Sequence, residues 1–327
     1  MNTREQFVNR RFLLVSLLGL GLLLIFSLLS LWLGAVHTSL AQLWQVFNGE
    51  GIVFEYRLPR LTAAILVGMN LAVAGSMMQS ITRNPMAAPD LIGINAGAGL
   101  VIVLLILTVP EFSPIVLPVA AFVGAAAAGG LVYALAYRKK GFTNSRLVLS
   151  GLAVGSGLHA LITLVLVKYA PNASQALVFL KGSFYALSWE RVAWLAPWTI
   201  LGIPLAFFVS RHLTLLQLDE SVIAGLGIRV NRMRLMLLAL VVVLAGSAVA
   251  IAGTIAFVGL IVPHLVKYVI GPNYKLSTPL CALFGALLVV MSDMIGRIVM
   301  PPAELPAGIV TAILGAPYFL YLLVKKS

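Results

Sequence analysis

The sequence predicts an all-α polytopic membrane protein of about ten transmembrane helices, with an inverted internal repeat and both termini cytoplasmic. Three observations carry that expectation. Some ten long apolar runs are separated by short polar gaps, positive charge gathers in alternate gaps, and one segment echoes another in the second half. Composition agrees, with 61% hydrophobic and 10% charged residues and a mean hydropathy of +1.05, outside the range of soluble domains. A span needs about 20 apolar residues, so ten of them take up roughly 200 positions. The remainder leaves no room for a soluble domain, and residues 1–327 read as a single transmembrane domain.

In chain order the spans are expected at 12–36, 61–82, 91–109, 114–137, 147–168, 192–210, 232–252, 254–270, 278–300 and 305–324. Pro59, Asn84-Pro85, Pro110, Pro114, Gly141, Pro171, Gly271-Pro272 and Pro301-Pro302 punctuate them. Between the seventh and eighth spans only Ala252-Gly253-Thr254 offers a turn, and a helical hairpin is expected there.

Lys and Arg set the orientation. With the N-terminus inside, the inner gaps hold Arg4, Arg10, Arg11, Arg83, Arg138, Lys139, Lys140, Arg146, Arg211, Arg229, Arg232, Arg234, Lys267, Lys275, Lys325 and Lys326. The outer gaps hold Arg57, Arg60, Lys168, Lys181, Arg191 and Arg297, a division of sixteen against six. The net charge of +12 is therefore a topology signal, and no basic stripe with interleaved aromatics points to nucleic acid. The single cysteine, Cys281, excludes an internal disulfide and a cysteine metal cluster.

Residues 66–93 lie over 244–271 without gaps, with eight of 28 positions identical, among them Gly68/Gly246, Gly75/Gly253, Pro85/Pro263 and Gly93/Gly271. The copies begin five crossings apart, so they run in opposite directions. Halves at roughly 61–168 and 232–324 follow, the inverted-repeat architecture of transporters with small-residue interfaces. The alternative is two unrelated helices rich in Ala and Gly.

Catalytic chemistry finds little support. There is no HExxH, no acid pair within one span and no P-loop, so any ATPase has to be another chain. Asp293 and Arg297, four residues apart on one helix face, read as structural neutralisation rather than a proton relay. His159 and His264 read as interhelical hydrogen-bonding groups or as substrate contacts. Residues 215–224 read as a short amphipathic helix opening with Asp219 and Glu220, followed by a bend at Gly225-Leu226-Gly227. Such a helix either lies on the bilayer or inserts its apolar face into a soluble partner.

Several strings resemble the FecCD-type permease subunits of ABC importers for iron–siderophores and vitamin B12. They are Tyr56-Arg57-Leu58-Pro59-Arg60-Leu61, Ala74-Gly75 through Gln79 to Arg83-Asn84-Pro85-Met86-Ala87-Ala88-Pro89-Asp90-Leu91-Ile92-Gly93, Leu149-Ser150-Gly151, and Lys181-Gly182-Ser183. Gly253 to Pro263-His264 and Glu304-Leu305-Pro306-Ala307-Gly308 through Leu314-Gly315-Ala316-Pro317 complete an ordered set over nearly the whole chain.

The resemblance implies a ten-helix permease in a bacterial cytoplasmic (inner) membrane. It would be paired with a second copy or a paralogue and surrounded by membrane lipids. ATP-binding cassette subunits would dock inside and an extracytoplasmic solute-binding protein outside. The chain itself would bind no cofactor or metal, with ATP and magnesium on the partner ATPase. The resemblance places ATPase coupling at Asp219, Glu220, Ala224, Gly225, Leu226 and Gly227. It places binding-protein docking at Arg57, Arg60 and Arg297, which otherwise read as headgroup anchors. Thr143, Asn144 and Ser145 become gate candidates, and equally a cap for a helix starting near Arg146. Ser156, His159 and Thr163 suit a weakly binding path wall. Asn70 departs from the small apolar residue usual in the family and reads as a substrate feature or an interhelical hydrogen bond. Residues 174–189 are expected to form a short helix at the mouth, with Lys181 available to an anionic chelate. The expected cargo is a ferric siderophore, with B12 or haem as rivals within the class and an ion-coupled secondary transporter as the rival outside it.

Overall fold

Small residues, not the most apolar ones, decide which helices lie inside. The computed structural model describes residues 3–34, 51–109, 111–113, 115–138, 141–301 and 303–326. In chain order the helices are α1 (Thr3–Trp32), α2 (Leu58–Thr82, entered through a π-helical turn at Val53–Arg57), α3 (Ile94–Thr108), α4 (Val116–Ala136), α5 (Asn144–Lys168) and α6 (Ser174–Leu180). They continue as α7 (Trp189–Leu215), α8 (Glu220–Gly225), α9 (Val230–Ala252), α10 (Val258–Ile270), α11 (Tyr274–Ile298) and α12 (Ala307–Lys326). A two-residue antiparallel pair, Tyr137–Arg138 with Gly141–Phe142, links α4 to α5.

Each of the ten expected spans is occupied by a helix. Among the described residues seven are long and apolar enough to cross a membrane, and Ile94–Thr108, Val258–Ile270 and Ala307–Leu322 are shorter apolar helices. The end of the first expected span, Pro110, Pro114, Lys139, Lys140 and Pro302 lie outside the described residues.

Helix α2 is the hub and packs against α7, α9, α10 and α11. Hydropathy does not foretell this. The most apolar windows of α1 and α9 share a mean hydropathy of 2.8, yet 6% of one and 72% of the other is buried. In lipid a leucine gains little by leaving the tails, so helices associate where small side chains let backbones approach. A Cβ at Gly75 would stand 1.9 Å from the Gly259 carbonyl oxygen, and one at Gly68 2.3 Å from that of Gly285. The same device joins α3 to α4, where Gly97 and Gly124 face each other.

The hairpin expected at residues 252–254 changes in three dimensions. The 66–93 and 244–271 segments differ in secondary structure, since α2 runs through Gly75 while α9 stops at Ala252. Gly253 turns the chain at φ +72°, and the Phe179 carbonyl occupies the space a Cβ would need. The helix then resumes only at Val258, and α10 packs on α2 and α11 instead of folding back along α9 as a hairpin. Arg234, counted with the inner flank, is buried within the bundle.

Candidate functional site

The two ends of α2 carry different chemistry. At its C-terminal end Arg83 adopts φ +50° and stops the helix. Its guanidinium donates to the Leu216 carbonyl at 2.7 Å and to that of Leu218. Ser80 Oγ donates to the Leu213 carbonyl at 2.7 Å, and Gln217 Nε2 donates to Ser80 Oγ at 3.3 Å. These bonds tie the α7–α8 connection to the hub. They also shorten the expected helix at its start: Leu215 ends α7, and α8 begins only at Glu220.

Leu216 and Ile223 are buried anchors, whereas Leu218, Val222 and Leu226 are exposed. Asp219, Gly225 and Gly227 are exposed too, and Gly227 bends the chain at φ +74°. Glu220 and Ala224 belong to α8, with side chains outside the described residues. The result is a short helix whose preceding connection is held by hydrogen bonds, with an apolar edge outward, an arrangement that fits a groove on another protein.

The first turn of α2 enters a cluster of charges. Arg60 Nε meets both carboxylate oxygens of Asp293 at 3.1 and 3.0 Å, and Nη1 donates to Glu304 Oε2 at 2.7 Å. Arg297 Nε lies 3.3 Å from Asp293 Oδ2 and donates through its other nitrogens to Ser30 Oγ and to the Ser30 and Leu33 carbonyls. Arg57 donates to the Leu31 and Trp32 carbonyls, at 2.8 and 2.9 Å. Arg57 and Arg297 both border Gly34, so the three arginines named from sequence stand together. They join α1, α2, α11 and the segment before α12. The pairing of Asp293 with Arg297 has the expected form, and Arg60 and Glu304 complete it.

Asp293→Ala is expected to leave two largely buried guanidiniums short of an acceptor, which costs about 3–5 kcal/mol. Thermal unfolding of the detergent-purified protein measures it, and an unchanged midpoint would show that the cluster holds nothing together. For the same reason Arg60→Glu would set a third carboxylate against Asp293 and Glu304, so it tests the fold as much as docking.

Ser156, His159 and Thr163 lie on one exposed face of α5, with Thr163 Oγ1 donating to the His159 carbonyl at 2.9 Å. Asn70 is not on that face. It is buried between α2, α7 and α9, where its Nδ2 donates to Thr199 Oγ1 at 2.9 Å and Ser247 Oγ at 3.4 Å, the interhelical role. Helix α5 starts at Asn144, earlier than expected, and Thr143 precedes it without a side-chain cap bond. Asn144 Nδ2 donates to the Thr82 carbonyl at 3.1 Å, while Thr143 and Ser145 are exposed. His264 meets Tyr318 of α12 edge-on, with ring centroids 6.1 Å apart.

Three separate strings converge beside α6, which forms as expected and leaves Lys181 exposed. Ser183 N–H donates to the Ala252 carbonyl and Gly308 N–H to that of Gly182. Among the described residues no group of three His, Cys, Asp or Glu side chains is placed to hold a metal.

A family model described as the FecCD transport family matches residues 22–325. The chain belongs to the FecCD transport family.

Among its FecCD relatives, the Fe(3+)-citrate import system permease protein YfmE of Bacillus subtilis is 42% identical over 328 residues, covering 98% of this chain and 97% of that one. The iron(3+)-hydroxamate import system permease protein FhuG of the same organism is 38% identical, over 94% and 95% of the two chains. The Fe(3+) dicitrate transport system permease protein FecD of Escherichia coli is 38% identical, over 91% and 94%. A solved structure described as an inward-facing ABC transporter of the metal-chelate type superposes with a TM-score of 0.84 at 30% identity, over 97% of this chain and 99% of that one.

Sequence reasoning missed two residues of these ends in the FecCD chain. Arg83 entered only as a topology charge and as part of a string, and Glu304 only as part of a string. The signal for Arg83 was a lone cation at a helix end just before Asn84-Pro85, where the last carbonyls of a neighbouring helix need donors.

Proposed function

We propose that this chain is the membrane-spanning permease subunit of a binding-protein-dependent ABC importer that carries a ferric siderophore or related iron chelate into the cytoplasm. The observation that carries the reading is α8, an exposed short helix with an apolar edge, braced by Arg83 against the central helix. A motor protein pressing on α8 acts on α2 through the α7–α8 connection that Arg83 and Ser80 hold, and through α2 on every helix packed around it. The permease names of the iron(III)-citrate and hydroxamate relatives support the cargo class.

In this reading ten helices cross the inner membrane of a bacterium, with both termini and α8 on the cytoplasmic side. ATP-binding cassette subunits with bound ATP and magnesium receive α8. The solute-binding protein approaches the opposite end, where Arg57 is the least enclosed of the three arginines. The exposed face of α5, with Ser156, His159 and Thr163, lines a path shared with a second permease copy or a paralogue. Hydroxyl and imidazole groups there make weak, exchangeable contacts with a large polar chelate. Thr143 and Ser145 at the start of α5 lie beside Asn144, which is tied to the end of α2. A gate there would receive a movement of α8 through one helix end.

Uptake of radioiron-loaded siderophores, beside labelled B12 and haem, in cells with and without the gene tests this. Loss of uptake for an iron chelate, restored by the intact gene and dependent on ATP, is the expected result. Uptake of B12 or haem alone would reassign the cargo. Uptake that survives ATP depletion but fails when the ion gradient collapses would overturn the importer reading.

A further inference from the structure

A groove lies between the end of α7 and the start of α9, next to the bend that follows α8. Its volume is about 330 Å³. Its mouth, at the helix ends, carries His212, Arg229 and Arg232, all exposed, and its apolar depth, running along the helices, is lined by Val209, the exposed Met236 and the buried Leu237. Among the described residues no acidic side chain lines it.

The order of these groups follows from helix geometry. Arg229 precedes α9, Arg232 follows within its first turn, and Met236 and Leu237 come one to two turns further on. At a rise of 1.5 Å per residue, the lining passes from guanidinium to purely apolar groups within about 10 Å. Both flanking helices are candidate membrane spans, so the mouth stands at the end of a span and the depth runs along it.

We infer that this groove binds an anionic phospholipid, with its phosphate at Arg229 and Arg232 and the start of an acyl chain along Met236 and Leu237. Basic pockets between helices at the cytoplasmic side suit such headgroups, and guanidinium forks match phosphate oxygens. A free phosphate would use the mouth alone and leave the apolar depth unfilled. A zwitterionic lipid would fill the depth but bring a second cation against two arginines. Gly227 forms part of the wall, so the bound headgroup rests against the bend beneath α8. Any effect of that lipid on coupling rests on the importer reading, whereas the binding itself does not.

Native mass spectrometry of the full-length protein in mild detergent tests the site. The titrants are phosphatidylglycerol, phosphatidylcholine with the same chains, and inorganic phosphate. Phosphatidylglycerol is expected to bind about tenfold or more tightly than phosphatidylcholine. The R229Q/R232Q variant should lose that preference, and M236W, on an exposed position, should weaken phosphatidylglycerol by blocking the depth. R211Q, outside the groove, should bind as the parent does. Should the double variant fail to elute as a folded species, R232Q alone and M236W decide. Equal binding of the two lipids, full displacement by millimolar phosphate, or an undiminished preference in the variants would each overturn the proposal. The readout needs neither cargo nor ATPase, so a failed uptake assay leaves it intact.

Discussion

Gly75→Leu is expected to prevent the bundle from assembling. A Cβ there would lie 1.9 Å from the Gly259 carbonyl oxygen and 2.4 Å from the Gly259 Cα. Both obstacles are backbone, so no rotamer change relieves them and α10 has to move off α2. Overpacking against side chains costs about 1–3 kcal/mol, and a backbone that cannot yield lies above that range. Membrane yield and monodisperse elution measure it. Gly21→Leu is the control, because a Cβ at Gly21 meets nothing within 4 Å. Normal yield and an unchanged unfolding midpoint for Gly75→Leu would show that the α2–α10 contact is looser than the structure places it.

Gly225→Trp is expected to abolish uptake while the protein still folds and the ATPase still turns over. The space around Gly225 is open within the chain, and its backbone lies outside the left-handed region, so an added side chain is tolerated internally. In the proposed coupling role, what it meets is the partner. Interface groups of hot-spot rank contribute about 2 kcal/mol or more, and a misplaced indole at the tip of α8 weakens seating by roughly thirtyfold. Gly227 is a poorer choice, since φ +74° makes any substitution strained before a partner is met. Uptake by reconstituted vesicles beside ATP hydrolysis separates the outcomes. Full coupled uptake in the tryptophan variant would remove α8 from the coupling role.

Much of the candidate site was legible at the level of segment and little at the level of contact. The short helix after α7 and its glycine bend could be read from acids, apolar residues and two glycines within a few positions, because a single turn's chemistry is local. Its start was misplaced because the carbonyls of Leu216 and Leu218 are held by Arg83, 133 and 135 residues away. Arg57, Arg60 and Arg297 were grouped through the family resemblance, and of their partners only Asp293, four residues from Arg297, could be read from the sequence. A guanidinium at a helix end looks the same in sequence whether it faces solvent or a carboxylate. Asn70 illustrates the converse, since Thr199 and Ser247 accept from its Nδ2 from two other helices, and nothing in its neighbourhood in the chain announces them.

By itself the sequence determined that the chain crosses a membrane repeatedly, roughly where each helix lies, and which family it resembles. A backbone in hydrocarbon has to satisfy its own hydrogen bonds, so a long apolar run has one solution and needs no partner to select it. Only the tertiary structure decided that α2 is the hub, that α9 ends at a glycine its apparent counterpart passes through, and that Arg60 is held by Asp293 and Glu304. Those outcomes depend on backbones meeting at single glycines and on ion pairs 233 and 244 residues apart. Such contacts arise from the geometry of packed helices, and hydropathy carries no trace of them.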